Sequence, residues 1–132
     1  MNHEGTKDTK GEFDPVSNRV IGCALEVHRA LGPGLLESAY EMCLARELSL
    51  AAIPFTMQVP LPVDYKGVRL DCGFRIDVLM DGLLLELTAV EQLMPVHDAQ
   101  ILTYMKLAKV RVGLLVNFNV SKLKNGIKRF VL

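Results

Sequence analysis

Several features that would announce a function are missing from this chain. It carries no charge excess, because 15 Lys and Arg balance 15 Asp and Glu over 132 residues. A dedicated non-specific nucleic-acid binder is usually basic, so such a role has to rest on a local patch. There is no CxxC pair, and Cys23, Cys43 and Cys72 are odd in number and widely spaced. That argues against a disulfide framework and a structural zinc site. Cys23 and Cys43 read as small core residues, and a reducing cytoplasm is the simplest home. No apolar run approaches the length that spans a bilayer, so no membrane partner is expected. The N-terminus has no apolar signal region, and internal repeats, a glycine-rich phosphate loop and a nucleophile elbow are all lacking.

What is present is apolar patterning on half of the residues, ample for one core. Residues 1 to 13 offer little to bury and are expected to form a flexible tail, with a single domain over residues 14–132. Asp14-Pro15 is a helix start, followed by an apolar stripe at Val20, Ile21, Ala24, Leu25, Val27, His28 and Leu31. Gly32-Pro33-Gly34 ends that helix. A second runs from about Leu36 to Ala51, burying Leu36, Tyr40, Cys43, Leu44 and Leu48. Phe55 to Asp64 reads as extended, pushed to a sheet edge by Pro60 and Pro62, and Lys66-Gly67 marks a turn. Strands over Phe74 to Met80 and Leu83 to Val90 flank Asp81-Gly82, a strong hairpin signal. A helix opened by Pro95 spans about residues 96 to 108, with Ile101, Leu102, Met105 and Ala108 inward. Val110 to Phe118 follows as a strand covered on both faces, parallel to Leu83–Val90. Ile127 to Leu132 adds a short edge strand. The fold class is therefore α/β, a mixed central sheet flanked by helices.

The hairpin carries the sharpest chemical inference. If Asp81-Gly82 is a two-residue loop, Met80 meets Leu83, Asp77 meets Glu86 and Arg75 meets Thr88. Alternation then puts Arg75, Asp77, Glu86 and Thr88 on one face, and Val78, Leu85 and Leu87 on the other. Two carboxylates directly opposite, with Cβ atoms roughly 4.5–5.5 Å apart, destabilise a sheet unless something compensates. A hard divalent cation, an ion pair with Arg75 and a shared proton are the open alternatives, beside a solvent-exposed face on which the charges simply balance.

The run from Gly34 through Glu37 to Tyr40 has the spacing that names the GxxExxY family, and its setting HRALGPGLLESAY is very similar to that family. VPLPVDYKGVRLDCGFRIDVL resembles the family's extended middle, and PVHDAQILTYMKL with VGLLVNFNV resembles its end. The resemblance covers about residues 15 to 132. It implies a branch of the PD-(D/E)xK nuclease-like superfamily, with a restriction-endonuclease-like αβββαβ core and a Mg²⁺ or Mn²⁺ site for phosphodiester hydrolysis. Glu37, Asp77 and Glu86 match the metal-binding acids, and Gln100 and Tyr104 match a QxxxY element. Nucleic acid is the implied partner, and a homo-oligomer is compatible with the sequence.

This chain departs from the pattern at the ExK lysine, which is Thr88. Threonine can hydrogen-bond a water but cannot match an ammonium electrostatically. Loss of efficient cleavage, replacement of the charge by Arg75, and drift or an engineered change are three open readings. A non-enzymatic scaffold on the same fold is the alternative from another class. His28 and His97 are expected in structural roles and Tyr40 in the core with a hydroxyl partner. Lys106, Lys109, Arg111, Lys122, Lys124, Lys128 and Arg129 read by default as a solvated face, with phosphate contact as the alternative.

Overall fold

The computed structural model describes residues 14–132, and the expected tail over residues 1 to 13 lies outside the described residues. Helix α1 spans Pro15–Leu31. The Asp14 carboxylate accepts from the Ser17 backbone N–H and hydroxyl, each at 2.9 Å. Such a cap contributes about 1 kcal/mol. Gly32, with φ of 68°, ends the helix. Helix α2 spans Glu37–Leu50 and buries Tyr40, Leu44 and Leu48, while Cys43 is half-buried. Leu36 departs from its expected burial: it is the N-cap of α2, outside the helix, and is 79% exposed. Leu25 also departs, because only the Val20, Cys23, Ala24 and Val27 side of α1 meets the sheet.

The strands are β1 (Thr56–Pro60), β2 (Val63–Tyr65), β3 (Val68–Leu70), β4 (Arg75–Met80) and β5 (Leu83–Thr88). They are followed by α3 (Pro95–Ala108), β6 (Val112–Asn117), a 3₁₀ turn (Leu123–Gly126) and β7 (Ile127–Val131). The main sheet has the order β1-β4-β5-β6-β7, and β2 and β3 form a separate hairpin. That hairpin turns at Lys66 and Gly67, with φ of 50° and 81°. The sequence reading anticipated the turn but not the strand beyond it, because Val68–Leu70 is too short to show a period. β1 lies at an edge, where Pro60, opposite Arg75, is tolerated without an N–H.

β5 pairs antiparallel with β4 and parallel with β6, with α3 between them in the chain. All six residues of β5 are buried, as a strand covered on both faces requires. One apolar layer packs α1 and α2 against Val78, Met80, Leu83, Leu85, Leu87, Leu114 and Val116. The other packs Ile101, Tyr104 and Met105 of α3 against Ile76, Leu84, Leu115 and Phe130. Tyr40 is fully buried, stacked on Phe118 with centroids 4.5 Å apart, and its hydroxyl donates to Gly32 O at 2.6 Å. His28 is buried with Nε2 donating to Val120 O at 2.7 Å. Both residues therefore hold structure, as expected. No helix among the described residues is long and apolar enough to cross a membrane.

Two glycines sit where a side chain has no room. A Cβ on Gly126 would lie 2.2 Å from Asn117 O, a backbone atom that cannot give way, whereas one on Gly113 would lie 2.6 Å from Met105 Sδ, the end of a flexible side chain. Gly126→Ala is expected to destabilise by roughly 3 kcal/mol and Gly113→Ala by nearer 1 kcal/mol. Urea denaturation of the two variants checks both the size and the order of the effects.

Candidate functional site

The Asp81-Gly82 hairpin forms in the expected register, with Met80 opposite Leu83, Leu79 opposite Leu84 and Val78 opposite Leu85. At the next pair the ladder changes character. The Asp77 backbone N–H donates to Glu86 Oε2 at 2.9 Å, and the Leu87 N–H donates to Asp77 Oδ2 at 2.8 Å. Each carboxylate thus takes the place of a backbone carbonyl on the other strand. On the far side of β4, Gln58 falls between the paired residues Met57 and Val59, facing Asp77, and has a φ of 52°. Alternation breaks here as well: Ile76 belongs to the α3 layer, although Val78 belongs to the layer of α1 and α2. This local distortion turns both acids into a cleft instead of leaving them flat on a sheet.

The cleft holds about 340 Å³ and is lined by residues that include Glu37, Arg75, Asp77, Glu86, Thr88 and Gln100. Thr88 Oγ1 donates to Glu37 Oε2 at 3.2 Å, which joins the first residue of α2 to the end of β5. Gln100 Nε2 donates to Tyr104 Oη at 3.3 Å, so Gln100 faces the cleft while Tyr104 is largely buried behind it. His97 also lines the cleft, but its Nδ1 accepts from the Met94 N–H at 2.8 Å, a helix-capping bond and so a structural role, as expected. Arg75 is the only arginine or lysine in the lining among the described residues. Its guanidinium donates to Phe74 O at 2.9 Å, and no ion pair joins it to Asp77 or Glu86 among the described residues. The ion-pair explanation for the facing acids is thereby removed.

Two site residues escaped the sequence reading. Glu41 stands one turn after Glu37 on α2 and accepts from Gln58 Nε2, which also reaches Asp77 Oδ1 at 3.4 Å. The spacing of four from Glu37 was the available signal for Glu41. Gln58 had none, because its place depends on how β1 pairs with β4.

Burial lifts the Asp77 carboxyl to about 6, opposed by the Leu87 N–H and assisted by the charges of Glu41 and Glu37. Burial lifts Glu86 to about 8, and the Asp77 charge adds to the rise. Without another cation, the compensation is therefore a proton held on Glu86 near neutrality. Tyr104 is raised in turn by burial and by Glu86. Among the described residues, no three acids, imidazoles or thiols are close enough to chelate an ion together. The donor set nevertheless suits a hard cation such as Mg²⁺, which takes one or two carboxylates and keeps its waters. The second oxygen of Glu86 has no hydrogen-bond partner among the described residues, and Asp77 Oδ1 has only the long contact with Gln58.

A family model for the PD-(D/E)XK nuclease superfamily matches residues 14–130. The chain belongs to the PD-(D/E)XK nuclease superfamily. The five-stranded mixed sheet between α1–α2 and α3 is accordingly a restriction-endonuclease-like fold. Neither a curated protein nor a solved structure matches the chain significantly.

Of the basic residues late in this superfamily member, Lys128 pairs with Asp98 at 3.0 Å, Arg129 with Asp14 at 3.3 Å, and Arg111 donates to Leu132 O. Lys106, Lys109, Lys122 and Lys124 are exposed.

The two raised carboxyls make a testable statement about stability. Each binds its proton more tightly in the folded chain than in the unfolded one, so the stability it contributes is fully present below its ordinary value near 4. That stability is lost as pH rises through about 6 for Asp77 and about 8 for Glu86. In the presence of a chelator, Tm is expected to fall between about pH 5 and about pH 8.5, and Glu86→Gln should flatten the upper part of that fall. A Tm that is level or rising above about pH 6 in the unmodified protein would contradict the assignment.

Proposed function

We propose that this chain is a nuclease-like domain that binds a divalent cation, Mg²⁺ or Mn²⁺, and nucleic acid, with phosphodiester cleavage weak or lost. The carrying observation is the Asp77–Glu86 pair, one acid half-buried and one buried, which among the described residues forms no ion pair with a cationic side chain. A divalent ion would relieve that repulsion, held by Asp77 and Glu86 with Glu37 as the third acid of the cleft. When bound it would supply Lewis acidity and lower the pKa of a water. The chain's own residues divide the remaining work. Gln100, backed by Tyr104, offers an amide to a phosphate oxygen, and Arg75 brings positive charge to an otherwise acidic cleft. The resemblance to the GxxExxY family supports the same set of acids.

Impairment follows from Thr88. It leaves β5 in the position of the ExK lysine, but its hydroxyl is directed to Glu37, and no ammonium among the described residues lines the cleft to orient water or meet transition-state charge. A location inside the cell and action on DNA or RNA belong to this reading.

Asp77→Asn tests the cation site. The amide oxygen can still accept from the Leu87 N–H, so the metal-free variant is expected to be at least as stable as the parent while Mn²⁺ binding, followed by calorimetry, is lost or greatly weakened. Marked thermal destabilisation would make Asp77 a structural residue, and unchanged Mn²⁺ binding would remove the metal from the proposal. Thr88→Lys tests the impairment. It is expected to raise Mg²⁺- or Mn²⁺-dependent cleavage of DNA or RNA by on the order of 10²-fold or more. Glu86→Ala in that background should abolish the gain. A folded, metal-binding Thr88→Lys protein that cleaves no linear or circular, single- or double-stranded substrate would favour a scaffold.

A further inference from the structure

Glu37 reaches the cleft from the first residue of α2, and nothing within that helix fixes where it starts. The N-cap, Leu36, has no side-chain cap, so the incoming turn must be held from outside. Two side chains hold it. Tyr40 Oη donates to Gly32 O at 2.6 Å and accepts from the Leu35 N–H at 3.1 Å. Asn119 Oδ1 accepts from the Gly34 N–H at 3.0 Å, across 85 residues of chain.

Asn119 belongs to the segment that leaves β6, and this segment also secures the other half of the cleft. The Phe118 N–H donates to Thr88 O at 2.9 Å. Asn117, 2% exposed, accepts from the Val90 N–H at 3.0 Å and donates to Val90 O at 2.9 Å. Asn117 Oδ1 also accepts from the Asn119 N–H at 3.2 Å. Residues 117–119 are therefore bonded both to the end of β5 that carries Thr88 and to the turn that delivers Glu37. The contact between Glu37 and Thr88 closes the circuit.

We propose that Asn119 is a positioning residue of the cleft, setting the place of Glu37 relative to Thr88 and the Asp77–Glu86 pair through its bond to Gly34. This rests on the cation-binding reading given above. Tyr40 shares the task but is fully buried against Phe118, so its loss would damage the core. Asn119 is half-buried and separable from the core, and Gly34 is exposed, so amide exchange at Gly34 reports the contact directly.

The experiment compares Asn119→Ala and Asn119→Asp in the full chain. Aspartate keeps an oxygen that can accept from Gly34, and alanine does not. Asn119→Ala is expected to accelerate exchange at Gly34 in the metal-free protein and to weaken Mn²⁺ binding about tenfold, as loss of an outer-shell partner commonly does. Asn119→Asp is expected to restore both. Asn119→Ser, too short to span to Gly34, should reproduce the alanine result and serves if that variant does not fold. Unchanged Mn²⁺ affinity in Asn119→Ala, or an aspartate variant as defective as alanine, overturns the positioning role. If the parent protein itself fails to bind Mn²⁺, the cation reading falls, while Gly34 exchange still decides whether Asn119 holds the turn.

Discussion

Two acids facing each other across a buried hairpin are the constraint around which this cleft is arranged. Like charges on opposed strand positions destabilise a sheet, and burial raises the cost. The chain does not separate them. Instead each carboxylate accepts a backbone N–H of the opposite strand, so that Asp77 and Glu86 replace the ladder bonds they interrupt. The arrangement satisfies the backbone and leaves the excess negative charge unresolved. A proton on Glu86 resolves it near neutrality, and a hard cation could do so equally well.

The surrounding elements follow from this pair. The break in alternation at Asp77 is matched by the positive φ of Gln58 on the neighbouring strand, so β1 and β4 deform together. Gln58 then lies between Asp77 and Glu41, a further acid that would otherwise confront Asp77. Glu37 is steadied by Thr88. That bond sharpens the meaning of the missing lysine. An ammonium at position 88 would stand among Glu37, Asp77 and Glu86 and neutralise part of their field. Threonine brings only a hydroxyl, which donates to Glu37.

The same arrangement explains why superfamily membership does not by itself establish an activity. A fold places side chains, and the chemistry depends on which side chains are placed. Here Glu37, Asp77 and Glu86 line the cleft, Arg75 reaches it too, and the position expected to carry an ammonium carries a hydroxyl.

Much of this was legible in the chain. Asp14-Pro15 starts a helix, Asp81-Gly82 closes a hairpin, and the count outward from that turn holds as far as Val78 opposite Leu85, with Asp77 and Glu86 in contact just beyond it, because capping and tight turns are settled within a few residues. The α/β order and the parallel pairing of β5 with β6 also follow, since apolar period distinguishes helix from strand and crossovers obey a rule of hand. Tertiary structure alone decided the rest. It turned Arg75 towards Phe74 O and left the acids without an ion pair among the described residues. It set Gln58 between Glu41 and Asp77, and Asn119 against the Gly34 turn, from elements far apart in sequence. It also converted the facing carboxylates into backbone acceptors and raised their proton affinity by burial. Periodicity says which face of an element is apolar, but not which distant polar group that face will carry against another, because many packings satisfy the same pattern.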